Sequence, residues 1–380
     1  MSFLQSLVAA FKGGGARVPL ARGFASPWVF AEPGGGRPTY EYQRAVRGAY
    51  LDNPVAQRAV RLVAEGIGGA PLQPADPALL GLVGATSGGQ SLLETAASQL
   101  LLHGNAFIQI LKDGAGRPVE LYALRPERVT VLPGADGWPE AYGYRAGERT
   151  LTLPLLDSDA SPNLIHVRGF HPADDHYGAG CLAAADRAVA THNAASAWNR
   201  ALLENAARPS GALVYEAGEG NALTGEQFER LRRELVEAFA GQSNAGRPLL
   251  LEGGLRWQAL SLSPADMDFA TLKAAAARDI ALAFGVPPML LGLPGDSTYA
   301  NYREANRALW RLTLLPLAAK LLGALAEGLA TWFPEAVLAV DLDQVPALAE
   351  DRERLWAQVS AADFLTAAEK RALLGLTTAL

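Results

Sequence analysis

The sequence predicts an α+β chain, and three observations carry that expectation. Residues 104–170 hold most of the short alternating segments, so a mainly β piece sits inside an otherwise helical chain. Two long helical stretches, 182–207 and 264–284, leave and re-enter the body around a small insert with its own strands and helix. A third runs from about Tyr299 to Phe333 with Pro316 in its middle, where the missing amide donor kinks or interrupts a helix.

In chain order, residues 1–40 are rich in Gly and Pro and are expected to form a flexible arm. Over residues 1–61, eight basic side chains (Lys12, Arg17, Arg22, Arg37, Arg44, Arg47, Arg58, Arg61) stand against Glu32, Glu41 and Asp52. That surplus suits a solvated arm or contact with an acidic neighbour. Asn53 is placed to cap a helix whose first residue is Pro54, with Val55, Ala59, Leu62 and Val63 on one face, ending at Gly66. Ser91 and Glu94 have capping-box spacing and open a helix to about His103.

Strand patterns follow. Ala106–Leu111, the turn Asp113-Gly114-Ala115-Gly116 and Pro118–Leu124 predict a hairpin. Val129–Leu132, Ala141–Tyr144 and Leu164–Val167 are further strands. The stretch 182–207 has no Pro or Gly, carries many Ala, and would span about 39 Å as a helix. It lacks a broad apolar face, so its neighbours must approach across small side chains.

In the insert, Ala212–Tyr215, Pro248–Leu251 and Trp257–Leu262 are expected strands. Thr224 and Gln227 form a capping box for a helix with Phe228, Leu231, Leu235, Val236 and Phe239 on one face. Ser263-Pro264 opens the second long helix, closed by Gly285 and Pro287-Pro288. After the long kinked helix come a strand, Ala336–Val340, and terminal helices from about Pro346, in an acidic tail.

Composition narrows the function. The 380 residues are 49% hydrophobic and 19% charged, enough for two to four domains with buried cores. A single cysteine, Cys181, excludes an internal disulfide and any multi-cysteine zinc site. Net charge −6 does not advertise a nucleic-acid surface, and the 28 Arg against 5 Lys, with abundant Ala, reflect genomic base composition. The most apolar stretch, Leu309–Val340, carries Arg311, Lys320, Glu327 and Glu335 and two prolines, so no transmembrane helix is expected. The apolar Met1–Phe11 lacks a basic leader, and an intracellular protein is expected.

Catalytic chemistry is hard to assemble. No Gly-Lys dipeptide exists, which excludes a P-loop. Gly178-Ala179-Gly180-Cys181-Leu182-Ala183 matches a dinucleotide fingerprint, but the preceding strand ends some ten residues too early for a tight strand-to-helix turn. His166, His171 and His176 recur at intervals of five beside Asp174 and Asp175, a spacing that neither helix nor strand gathers on one face. Gly295-Asp296-Ser297 has the look of a nucleophile turn, yet no histidine follows it. The carboxylates Glu234 and Glu237, or Asp266 and Asp268, suit exposed helix positions.

The order of pieces is more informative. Tyr50-Leu51-Asp52-Asn53-Pro54-Val55, Leu102-His103-Gly104-Asn105-Ala106-Phe107 and Glu120–Pro126 come first. Asn205–Gly211, Leu260–Asp266, Ala283–Gly292 and Thr298-Tyr299-Ala300-Asn301-Tyr302 follow. Over roughly residues 45–345 this series resembles the portal proteins of tailed double-stranded DNA bacteriophages, of the siphophage type.

The resemblance implies a portal fold: a wing over 41–181, a stem helix over 182–209, a clip over 210–263 and a second stem helix over 264–285. A tunnel-loop region over 286–301, a long helix returning to the wing over 302–345 and a short crown over 346–380 complete it. The tunnel-loop residues would be Pro294, Gly295, Asp296, Ser297, Thr298, Tyr299 and Asn301, contacting DNA without reading bases. Arg230, Arg232 and Arg233 of the clip would meet the packaging motor and later the neck.

The implied role is structural, with no catalytic residue, metal or cofactor. The subunit would enter a ring, usually of twelve copies, at one capsid vertex. The implied partners are the major capsid protein, the terminase large subunit, the head–tail adaptor and passing double-stranded DNA, with no membrane. The particle would assemble in the bacterial cytoplasm, and the chain's small size admits a gene transfer agent or prophage as its source. Arg303, Arg307 and Arg311 recur every four residues and suit either a solvated face or channel and intersubunit contact. Two alternatives stay open at this point. One is a soluble α/β enzyme or cofactor-binding protein using the Gly178–Gly180 loop or the histidines. The other is a sequence-specific DNA-binding protein, which the acidic balance disfavours.

Overall fold

The computed structural model describes residues 38–73, 75–87, 89–204, 211–215, 224–239, 255–259, 269–293, 299–335 and 337–375. Helix α1 (Pro38–Val46) begins just inside the stretch expected as a loose arm, and continues into a wide π-turn at Arg47–Leu51. Helix α2 (Pro54–Gly68) is capped as its sequence dictates: the Asn53 side chain accepts from the amides of Val55 and Ala56, and Pro54 fills the first turn. Helix α3 (Pro77–Val83), capped by Asp76, is an element the periodicity did not predict because it spans only two turns. A two-residue hairpin, β1 (Thr86–Ser87) and β2 (Gln90–Ser91), was also too short to announce itself. It leads into α4 (Leu92–His103), where the Ser91 hydroxyl accepts from the Glu94 amide at 3.5 Å.

The β piece forms two antiparallel three-stranded sheets. Strands β3 (Asn105–Lys112) and β4 (Pro118–Leu124) make the expected hairpin, and β8 (Leu164–Arg168) pairs on the other edge of β3. The second sheet orders β5 (Val129–Pro133), β6 (Pro139–Ala146) and β7 (Arg149–Pro154). Strand β7 was missed because every residue but one is exposed, so it has no apolar side to signal it. The pleat of β3 divides the core. Ala106, Ile108 and Ile110 face a large helical core, while Phe107 turns to a smaller one with Leu124, Val129, Val131, Tyr142 and Leu164.

Helix α5 (Cys181–Glu204) and helix α7 (Phe269–Ala283) pack against each other along their lengths. Buried positions on the two helices are mostly small, Ala185 and Ala195 on α5 and Ala276, Ala277 and Ala281 on α7, and the Trp198 and Phe269 rings meet with centroids 5.8 Å apart. Between them the structure describes β9 (Gly211–Tyr215), α6 (Gly225–Phe239) and β10 (Leu255–Ala259), with β9 and β10 antiparallel. The Thr224 box forms in both directions, since Gln227 Oε1 accepts from the Thr224 amide and Thr224 Oγ1 from the Gln227 amide. The expected strand Pro248–Leu251, the Ser263-Pro264 helix start and the end of the 182–207 helix lie outside the described residues.

Helix α8 (Tyr299–Leu309) passes through a π-turn, Trp310–Leu314, into α9 (Leu315–Gly328). The interruption expected at Pro316 is this π-turn. Pro316 offers no amide, so the turn before it widens. By length and composition alone the stretch Asn301–Gly328 would suffice to cross a membrane, contrary to the sequence reading. Its Leu309, Leu314, Ala318, Leu321, Leu322 and Leu325 are buried in the main core. The chain then returns to the α2 end of the molecule, where Leu72 and Val340 form an isolated bridge and the Asp341 amide donates to the Pro71 carbonyl at 2.7 Å. The strand expected at 336–340 is reduced to that bridge, with Leu338 and Val340 buried and Val337 exposed. Helices α10 (Ala349–Ala361) and α11 (Ala367–Leu373) close the chain.

Candidate functional site

The Gly178 loop is the first candidate, and its geometry assigns it to packing. Strand β8 ends at Arg168, so no strand enters the loop directly. The Gly178 amide donates to Asn105 Oδ1 at 2.7 Å, and the Gly178 carbonyl accepts from Asn105 Nδ2 at 3.1 Å. A Cβ on Gly104 would lie 2.3 Å from the Ala179 carbonyl carbon, and Gly104 itself holds φ +84°. The loop therefore presses its backbone onto the turn between α4 and β3 and donates the Gly178 amide inward to Asn105. The geometry supports the packing role of Gly178–Gly180 and lends nothing to the cofactor-binding alternative.

Buried Asn105 organises the same junction. Its Nδ2 also donates to His103 Nδ1 at 3.1 Å, and its Oδ1 accepts from His166 Nε2 at 3.0 Å. Burial pushes His103 down to about 4. Burial first, then the charges of Arg168, His103 and His176, push His166 down to about 3. Both rings are thus neutral, and His166 stacks on Phe107 with ring centroids 4.2 Å apart. His171 instead accepts from the Ala173 amide, and among the described residues no three ligating side chains converge on a metal position. The spacing of five does not gather the histidines.

An open cleft of about 1470 Å³ lies between α1, the β5–β7 sheet and the first turns of α5. Arg44, Arg47, Arg128 and Arg145 border it, balanced by Asp52, Glu127, Asp174 and Asp186. Burial and then Glu127 hold the Tyr42 phenol far above its ordinary range, so it stays protonated.

The other expected residues occupy two regions. Arg230, Arg232 and Arg233 are exposed on α6, with Arg232 3.2 Å from Glu229 and the Arg233 Nε donating to the Glu229 carbonyl. Pro294, Gly295, Asp296, Ser297 and Thr298 lie outside the described residues; Tyr299 begins α8 and Asn301 is exposed on it. Just before them, Gly292 adopts φ +73° and ends the turn Pro288–Leu291.

Arg303 and Arg307 turn to α10. Arg303 lies 2.7 Å from Glu350, and Arg307 contacts Glu304 at 3.0 Å, Glu350 at 2.7 Å and Asp351 at 3.5 Å. Exposed Arg311 has no partner among the described residues. The sequence reading missed Glu350, Asp351 and Asn105. The acidic pair merged into an acidic tail, and Asn105 stood in a quoted motif with no sign of what it would touch.

A family model described as phage portal protein matches residues 54–375. The chain belongs to that family. A chain in the virion of a native gene transfer agent particle shares 48% identity and a TM-score of 0.68, covering 91% of this portal chain and 97% of its own. A chain in the neck of the native particle, computed with C12 symmetry, is 48% identical over 89% of this chain and 94% of its own, with the same TM-score. An uncharacterised protein of Rickettsia bellii is 40% identical over 345 residues, 86% of this chain and 88% of its own. An HK97-family phage portal protein from Corynebacterium diphtheriae has a TM-score of 0.57 at 18% identity, covering 78% of this chain and 96% of its own, a likeness of fold.

Proposed function

We propose that the chain is the subunit of a twelve-fold portal ring at one vertex of a capsid, the channel through which double-stranded DNA is packaged and released. One observation carries the proposal. Packed helices α5 and α7 bracket a small α/β insert, in a chain 48% identical to a component of a twelve-fold neck. The domain limits given above then become wing, stem, clip, tunnel region and crown.

The physics of a ring supports this. A heterologous contact repeated to closure needs two complementary faces and no catalytic group, and the proposed role involves no turnover. Exposed Ala183, Ala190, Ala194, Ala197 and Ala201 recur at helical spacing along α5, letting a neighbour's backbone approach closely. The net charge of −6 suits a conduit, because every cation fixed against phosphate adds counterion-release affinity and would hold the duplex in place. In this reading the clip, through Arg230, Arg232 and Arg233, docks the terminase motor and then the head–tail adaptor. The wing meets the major capsid protein. Assembly takes place in the bacterial cytoplasm, and the likeness to chains of a gene transfer agent particle favours that source over an infectious phage.

The test is negative-stain electron microscopy of the purified protein with its mass in solution. Twelve copies of 40.0 kDa give an annulus of about 480 kDa with a central hole. A chain that stays monomeric both alone and co-expressed with its capsid protein would overturn the proposal.

A further inference from the structure

Helix α8 follows directly on residues 294–298 and is tethered at two places of different chemistry. Near its C-terminal end the tether is uncharged: the Thr313 hydroxyl, in the π-turn, donates to the Gly285 carbonyl at 2.6 Å, at the end of α7. Leu309, just before that turn, and Leu314, its last residue, are buried. Through its middle and last turn the tether is ionic, at Arg303 and Arg307. Glu350 of α10 bridges Arg303 and Arg307, each at 2.7 Å, and Arg307 also reaches Asp351 and Glu304. The Arg307 side chain is only 17% exposed, so this network is shielded better than a free surface pair.

The acidic side of the clasp stands on a braced platform. Arg352 donates to both oxygens of Asp343 at 2.6 and 3.0 Å and to the Leu374 carbonyl at 2.9 Å, and Trp356 Nε1 donates to Asp343 at 3.1 Å. Residues 341–374 are therefore tied together before they meet α8. Among the described side chains of α8, Asn301 to Glu304 are exposed and the buried apolar one, Leu309, is at its C-terminal end.

We infer that Arg303, Arg307, Glu350 and Asp351 form an electrostatic clasp by which the C-terminal helices position α8, making them positioning residues for DNA passage. The inference rests on the portal reading for its consequence, though not for its geometry. In the ring, α8 would carry the segment entering the channel, and the clasp holds the middle and last turn of that helix against α10.

The experiment compares the wild-type ring, the neutralised clasp Glu350→Gln/Asp351→Asn, and a reversed clasp. The reversed clasp is Arg303→Glu/Glu304→Arg/Arg307→Glu/Glu350→Arg/Asp351→Arg, which keeps every attraction with its sign exchanged. Hydrogen exchange of residues 299–309 should accelerate about tenfold in the neutralised ring and return to the wild-type rate in the reversed one. DNA content per particle should fall and recover in parallel while ring mass stays constant. Unchanged exchange over 299–309 in the neutralised ring overturns the clasp. Faster exchange with normal DNA content leaves it a fastening without the positioning role, and overturns that part. Wild-type particles without DNA would instead count against the portal reading itself.

Discussion

At the scale of single residues, Asn105 shows how one buried amide holds two chain segments together. Its side chain serves the Gly178 amide and carbonyl and both neutral histidines at once. Asn105→Ala should cost on the order of 3 kcal/mol in urea unfolding, because it strands several buried polar groups together. The histidines set a pH dependence. Their folded values, about 4 for His103 and about 3 for His166, lie below the unfolded value of 6.5. Stability is therefore complete above pH 6.5 and lost as pH falls toward those values. A proton on His103 Nδ1 would also face the Asn105 amide donor. Urea midpoints measured from pH 7 to pH 4 should decline, and His103→Gln should flatten the decline.

At the scale of elements, the π-turn joins the long helix to the end of α7. Gly285 holds φ +65°, and a Cβ there would sit 2.8 Å from Thr313 Oγ1. Gly285→Ala should cost about 1–3 kcal/mol from backbone and contact together. Adding Thr313→Ala should recover only the contact part, a difference that a double-mutant cycle reads directly. Helix α6 poses a simpler case. Its three arginines are exposed, so Arg230→Glu/Arg232→Glu/Arg233→Glu should leave the melting temperature within a few degrees of wild type. Capture of the motor or adaptor by the reversed clip should drop several-fold at low salt, and undiminished capture would remove the docking role.

At the scale of the whole molecule, the proposed function belongs to a ring, and the loop region is where the channel reading is most exposed to failure. Deleting Pro294–Thr298 should leave an annulus of unchanged mass by electron microscopy while DNA content per particle falls. Normal filling would withdraw the loop assignment.

Local order was legible in the sequence because its causes are local. Asn53 before Pro54, the Thr224–Gln227 box and the β3–β4 turn each specify their own geometry within a few residues. The α+β character, the two long helices around an insert and the portal likeness followed from such pieces in order. What tertiary structure decided depends on partners far apart in the chain: Asn105 with Gly178, Thr313 with Gly285, Arg307 with Glu350. A fingerprint of glycines became a packing surface, and two of a row of three arginines, Arg303 and Arg307, turned to α10. Spacing along the chain fixes which side chains share a face, whereas only the closed fold fixes what that face meets.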